Sequence, residues 1–78
     1  MPMENFPRIT HNPGVMGGQA CLRGMRVTVS LIVGMASTGK SHERMLELYP
    51  YLEREDIEQA LAYAAWRLQE RDLPLASA

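Results

Sequence analysis

Eight residues, Gly34-Met-Ala-Ser-Thr-Gly39-Lys40-Ser41, match the phosphate-binding pattern GxxxxGK[ST] at every defined position. In a nucleotide-binding protein the backbone amides of such a loop cradle phosphates, the lysine meets their charge and the serine hydroxyl reaches magnesium. The apolar run Val27 to Val33 even offers a preceding strand. That chemistry needs several parallel strands, crossover helices and a second apolar run ending in an aspartate. A chain of 78 residues has room for none of them. Gly39 read as the end of one helix and Ser41 as the cap of the next explains the same letters, so nucleotide binding at Gly39-Lys40-Ser41 ranks last among the functional readings.

Other reactive side chains are sparse. His11 lies beside a turn and His42 begins a helix, each better suited to solvation or capping than to catalysis. Cys21, the lone cysteine, falls in an extended segment where a small buried apolar role outweighs a reactive one. With two histidines and one cysteine there is no CxxC or HExxH spacing for zinc. No nucleophile has a base and an orienting group at recognisable spacing. The expectation is a protein that is not an enzyme and takes no cofactor, metal or small-molecule substrate.

Charge points instead to binding. Residues 1 to 41 carry Arg8, Arg23, Arg26 and Lys40 against Glu4, and residues 42 to 78 carry four arginines against eight acids. The halves are therefore +3 and −4, which sum to the overall −1. Arg8, Arg23, Arg26 and Lys40 form a candidate nucleic-acid contact, though the chain lacks the strongly basic character of a protein that binds mainly through phosphates. Arg23 and Arg26 flank Gly24, and bonding to local carbonyls or to acids of the last helix is an equal use for them.

These residues must be positioned by few elements. The first 27 residues are rich in turn signals: Asn12-Pro13-Gly14 has the composition of a type II turn, and Gly17-Gly18 and Gly24 punctuate short extended pieces around Ile9, Ala20 to Leu22 and Arg26-Val27. A small hairpin or ribbon follows, too short to stand alone in water. Thr28 can cap a helix over Val29 to Ser37, which Gly39 ends. Ser41 can cap a second helix running to Tyr49, stopped by Pro50. A third helix spans about Arg54 to Arg71, with Glu53, Glu55 and Asp56 at its positive end and Arg67 and Arg71 toward its negative end. The fold class is mainly α, three helices behind a short N-terminal β hairpin or ribbon. It is a single domain over 1–78, with a β/turn segment over 8–27, a helical unit over 28–71 and a short tail over 72–78.

At 100° per residue, Ile57, Leu61, Ala64 and Leu68 share one face of the third helix, flanked by Ala60 and Ala65, and that face is the predicted core. Tyr63 and Trp66 then lie on the other side with nothing to cover them, in keeping with aromatic residues at interfaces. The first helix is apolar nearly all round. A chain this short buries only about 60% of the surface its unfolded form exposes, and without disulfide or metal it is expected to gain stability by self-association. Val29, Ile32, Val33, Tyr63 and Trp66 are the candidate partner or dimer interface, and a homodimer is the expected state. The polar, proline-broken N-terminus and the absence of any long apolar run point to a cytoplasmic protein with no membrane partner.

Gly18-Gln-Ala-Cys-Leu-Arg-Gly-Met-Arg-Val-Thr-Val29, Gly39 with Ser41, Tyr49-Pro-Tyr-Leu52, and Glu55-Asp-Ile57 with Ala60 and Leu61 resemble, in order, the blocks of the bacterial family catalogued as domain of unknown function 433. The resemblance covers about residues 8 to 65 and departs at Gln19-Ala20, Met25 and Glu53, where the family favours Lys-Pro, Thr and Thr. It implies a homeodomain-like, helix-turn-helix unit behind an N-terminal β segment. It further implies an antitoxin-like role in a toxin-antitoxin pair, neutralising a PIN-like nuclease by protein contact. The alternative is a DNA-binding transcriptional regulator using the basic N-terminal half. In a helix-turn-helix the start of the last helix faces the major groove. Here that start is Glu53, Arg54, Glu55, Asp56 and Glu58, which phosphates repel.

Overall fold

Each predicted helix forms between its predicted signals. The computed structural model describes residues 5–72, so the short tail expected beyond Asp72 lies outside the described residues. Strand β1 (Ile9–His11) pairs antiparallel with β2 (Ala20–Leu22), in the register Ile9 to Leu22, Thr10 to Cys21 and His11 to Ala20. Helices α1 (Val29–Ser37), α2 (His42–Leu48) and α3 (Arg54–Asp72) follow.

The caps explain the boundaries. Thr28 is extended, and its side chain accepts the Leu31 N–H at 3.0 Å. Ser41 does the same for Arg44 at 3.1 Å. Gly39 adopts φ +83°, a conformation that costs glycine little, and its N–H closes on the Ala36 carbonyl. Thr28→Ala removes one of these caps and is expected to destabilise the fold by about 1 kcal/mol, measured by urea unfolding.

Two turns differ from, or sharpen, the sequence expectation. Asn12 to Val15 does form a turn, with the Val15 N–H on the Asn12 carbonyl at 2.8 Å, but Gly14 is not among the residues with positive φ that a type II turn requires. The Asn12 side chain accepts the Gly14 N–H instead and fixes the bend from outside. After β2, Arg23 (φ 49°) and Gly24 (φ 72°) are both left-handed, and Met25 N–H reaches the Leu22 carbonyl at 2.8 Å. This pair of positive φ values marks a tight hairpin turn. It returns the chain so that Val27 accepts the Leu22 N–H and Thr28 bridges Cys21.

The core lies between the ribbon, α1 and α3. Ile9, Leu22, Ile32, Met45, Ile57 and Ala60 are fully buried, joined by Val27, Val29, Met35, Leu52 and Tyr63. The ribbon thus finds its support in this chain's own helices, where the sequence left a second subunit equally open. Likewise Val29, Ile32 and Met35 of α1 are covered by the same chain. The buried stripe of α3 is Asp56, Ile57, Ala60 and Tyr63, turned away from the predicted Ile57-Leu61-Ala64-Leu68 face. Leu61 and Ala64 are only half-buried, Ala65 is exposed, and Leu68 is 61% exposed.

Candidate functional site

Asp56 stands at the third position of α3 and is 0% exposed, a carboxylate in the interior of a small domain. Such a group must be fully paired to be tolerated. Its Oδ2 accepts the Glu53 N–H at 2.8 Å, the reciprocal half of a capping box, which supplies the helix start that Glu53 cannot cap as threonine would. Arg23 closes on it bidentately, Nε to Oδ1 at 3.0 Å and Nη2 to Oδ2 at 2.8 Å, and also donates to the Tyr51 carbonyl at 2.9 Å. Arg8 donates to Asp56 Oδ1 at 2.9 Å and to Glu53 Oε1 at 2.7 Å, with Glu55 at 3.4 Å.

The electrostatics follow from these bonds. Burial alone would raise the Asp56 pKa. Hydrogen bonds from Arg23, from the Glu53 N–H and from Arg8 outweigh burial and hold it below the usual carboxylate value. Glu53 and Asp56 in turn raise the pKa of Arg8, and Asp56 raises that of Arg23. The left-handed Arg23, strained by roughly 1 kcal/mol for a non-glycine residue, is held there by this carboxylate.

The N-terminal segment continues along α3 beyond the ion pairs. Gln59 Oε1 accepts the Arg8 backbone N–H at 3.0 Å. Tyr63, one turn further, meets His11 Nε2 at 3.3 Å through its hydroxyl and the Phe6 ring at 5.5 Å, edge-on. Phe6 also lies 5.7 Å from Trp66. Periodicity predicted Tyr63 and Trp66 to be bare, and they are not. Tyr63 is 7% exposed because Phe6 and His11 cover it, and Trp66 is half-buried.

Other sequence-flagged residues fall as follows. Of the interface candidates, Ile32 and Val29 are core, and Val33 is half-buried. Val33 lines an apolar groove of about 410 Å³ between α1 and the C-terminal half of α3, together with Ala20, Val29, Tyr63, Ala64 and Leu68, with Arg67 beside it. Of the four cations grouped for nucleic acid, Arg8 and Arg23 are engaged by α3, which leaves Arg26 and Lys40 out of that cluster. Gly34 sits inside α1, and the amides of Thr38, Gly39 and Lys40 donate to the carbonyls of Met35 and Ala36. The GxxxxGKS residues thus form a helix end and a helix cap, and the amides a phosphate would need are already bonded. Cys21 is buried, with its thiol pKa pushed up by burial. Among the described residues no group of three His, Cys, Asp or Glu could hold a metal, and no helix is long and apolar enough to cross a membrane.

Residues 9–64, spanning β1 to the middle of α3, match the family model described as a protein of unknown function, DUF433. The chain belongs to the DUF433 family. A DUF433 member protein from Anabaena variabilis, solved by crystallography, superposes with a TM-score of 0.74 at 33% identity, over 88% of this chain and 68% of that one. The uncharacterized protein y4eO of Sinorhizobium fredii is 41% identical over 56 residues, 72% of this chain. The chain spans 25% of the length of that curated relative. The DUF433 match ends just past Tyr63, so the ionic cluster on Asp56 lies wholly inside it apart from Arg8, and Trp66 to Leu68 lie outside. The reading of Arg23 as bonded to an acid of the last helix and to a local carbonyl is borne out by Asp56 and Tyr51, but sequence reasoning did not single out Asp56 as the residue that also gathers Arg8. An aspartate three residues into a helix, in a chain with arginines clustered near glycine turns, was the available signal.

Proposed function

We propose that this DUF433 protein is an antitoxin-like binding protein of a bacterial toxin-antitoxin pair, which neutralises a PIN-like nuclease by occupying it. The observation that carries this reading is the apolar groove between α1 and α3, lined by half-buried Val33 and Ala64 and by Leu68, the most exposed of the large hydrophobic side chains among the described residues. Exposed apolar surface with an aromatic border is what protein interfaces use. Tyr63 joins the groove to the Trp66 side of α3, so the partner surface centres on the C-terminal half of that helix. A second copy of the chain is the other occupant this reading allows.

The test is co-expression with the product of the adjacent open reading frame and measurement of their affinity. Val33→Ser with Leu68→Ser is expected to weaken binding at least about tenfold while leaving the melting temperature within a few degrees, since neither side chain is core. Unchanged affinity in that double variant, or an adjacent gene with no nuclease-like product, would remove the reading. DNA binding by the basic half has less support. With Arg8 and Arg23 engaged internally, Arg26 and Lys40 offer two phosphate contacts per chain, too few for strong binding at ordinary salt.

A further inference from the structure

The aromatic cluster on α3 has a member that comes from elsewhere in the chain. Tyr63 and Trp66 are one turn apart with ring centroids 6.0 Å from each other, and Phe6 completes the trio from the N-terminal segment. The edge-on geometry of Phe6 on Tyr63, with planes at 85°, is one that aromatic rings favour because the positive edge of one meets the negative face of the other.

Phe6 lies beyond the point where the segment is fastened. Arg8 is anchored four ways, to Asp56, to Glu53, to Glu55 and through its backbone N–H to Gln59. Ile9, next to it, is fully buried. Pro7, between the anchor and the ring, is exposed and has no N–H to donate. The backbone of Phe6 is tied by its carbonyl to the Ile9 N–H at 2.9 Å. Phe6 can therefore leave the cleft for the loss of one hydrogen bond, two ring contacts and its packing on the edge of the core, which uncovers Tyr63 but leaves the clasp on Asp56 in place.

We propose that Phe6 is a latch, filling the cleft of Tyr63 and Trp66 in the free protein and swinging out to yield its place to an aromatic side chain of a protein partner. An aromatic occupant follows from what the cleft offers, two ring surfaces set for a third. The inference rests on the partner-binding reading above. A tethered ring competes at a high effective concentration, so the latch weakens every aromatic ligand that enters and favours a partner able to displace it.

Trp66 is the only tryptophan in the chain, which makes its emission a direct reporter. Phe6→Ala should shift that emission to the red and gain a saturable response to N-acetyl-phenylalaninamide, at about one tenth of the concentration the unmodified protein needs. Phe6→Leu, which keeps the cleft filled, should respond between the two. Equal responses in Phe6→Ala and the unmodified protein overturn the latch, as does a Phe6→Ala variant with no response. Loss of helical circular dichroism in Phe6→Ala also overturns it, because the ring would then belong to the core. No partner is present in this experiment, so it can fail while the co-expression test succeeds, and the reverse.

Discussion

Asp56→Asn should cost the fold about 3–5 kcal/mol, the penalty typical of breaking a buried ion pair by removing one partner. The substitution keeps the side-chain volume but gives Arg8 and Arg23 an amide where they had a carboxylate. Against a total stability that is small for any domain of this size, such a loss leaves much of the protein unfolded at 37 °C. Urea unfolding of both proteins measures it, and a loss below 1 kcal/mol would mean that the two arginines find equal partners elsewhere. The same residue sets a pH dependence. Because its folded pKa lies below the usual 3.8, the folded state binds fewer protons than the unfolded chain around that pH. The stabilisation is present above 3.8 and is lost as pH falls through the folded value. Asp56→Asn should therefore flatten the stability curve between about pH 5 and pH 2, and leave its neutral-to-alkaline part parallel to that of the unmodified protein.

Ile32→Ala is the second large effect, expected at about 2–5 kcal/mol because a fully buried isoleucine leaves both lost transfer energy and a cavity. Its neighbour Val33, flagged together with it from the sequence, should tolerate alanine at about 0.5 kcal/mol, since half of it faces the groove. Thermal unfolding of the two variants separates the residue that builds the domain from the residue available to a partner. Similar losses at both positions would place Val33 in the core and remove it from the proposed binding face.

The limits of sequence reading are visible in the same helices. Thr28, Gly39, Ser41 and Pro50 act within a few residues of themselves, so the bounds of α1 and the start of α2 were legible to the residue, and the end of α2, expected at Tyr49, falls one residue earlier at Leu48. The buried face of α3 was legible only in part, at Ile57 and Ala60. Apolar periodicity weights Leu61 and Leu68 and ignores Asp56 and Gln59, yet those polar residues are where the ribbon is fastened. Asp56 is buried because of Arg23 and Arg8, which lie 33 and 48 positions away, and no local window sees such partners. Once the ribbon docks along Asp56, Gln59 and Tyr63, the helix is turned and Leu68 is left on the rim. The candidate site shifted for the same reason. Tyr63 was singled out as an interface aromatic, and its first neighbour proved to be Phe6 of its own chain.

The clasp on Asp56 bears on how this module can be cut and transplanted. A fragment beginning at Thr28 keeps all three helices and all of their local caps, and by eye it is the natural unit to graft into another protein. It would carry away an anion with both counterions left behind and a tyrosine stripped of its lid. Protein engineers should move the glycine-rich leader together with the helices, and treat Arg8, Arg23 and Asp56 as inherited in one piece.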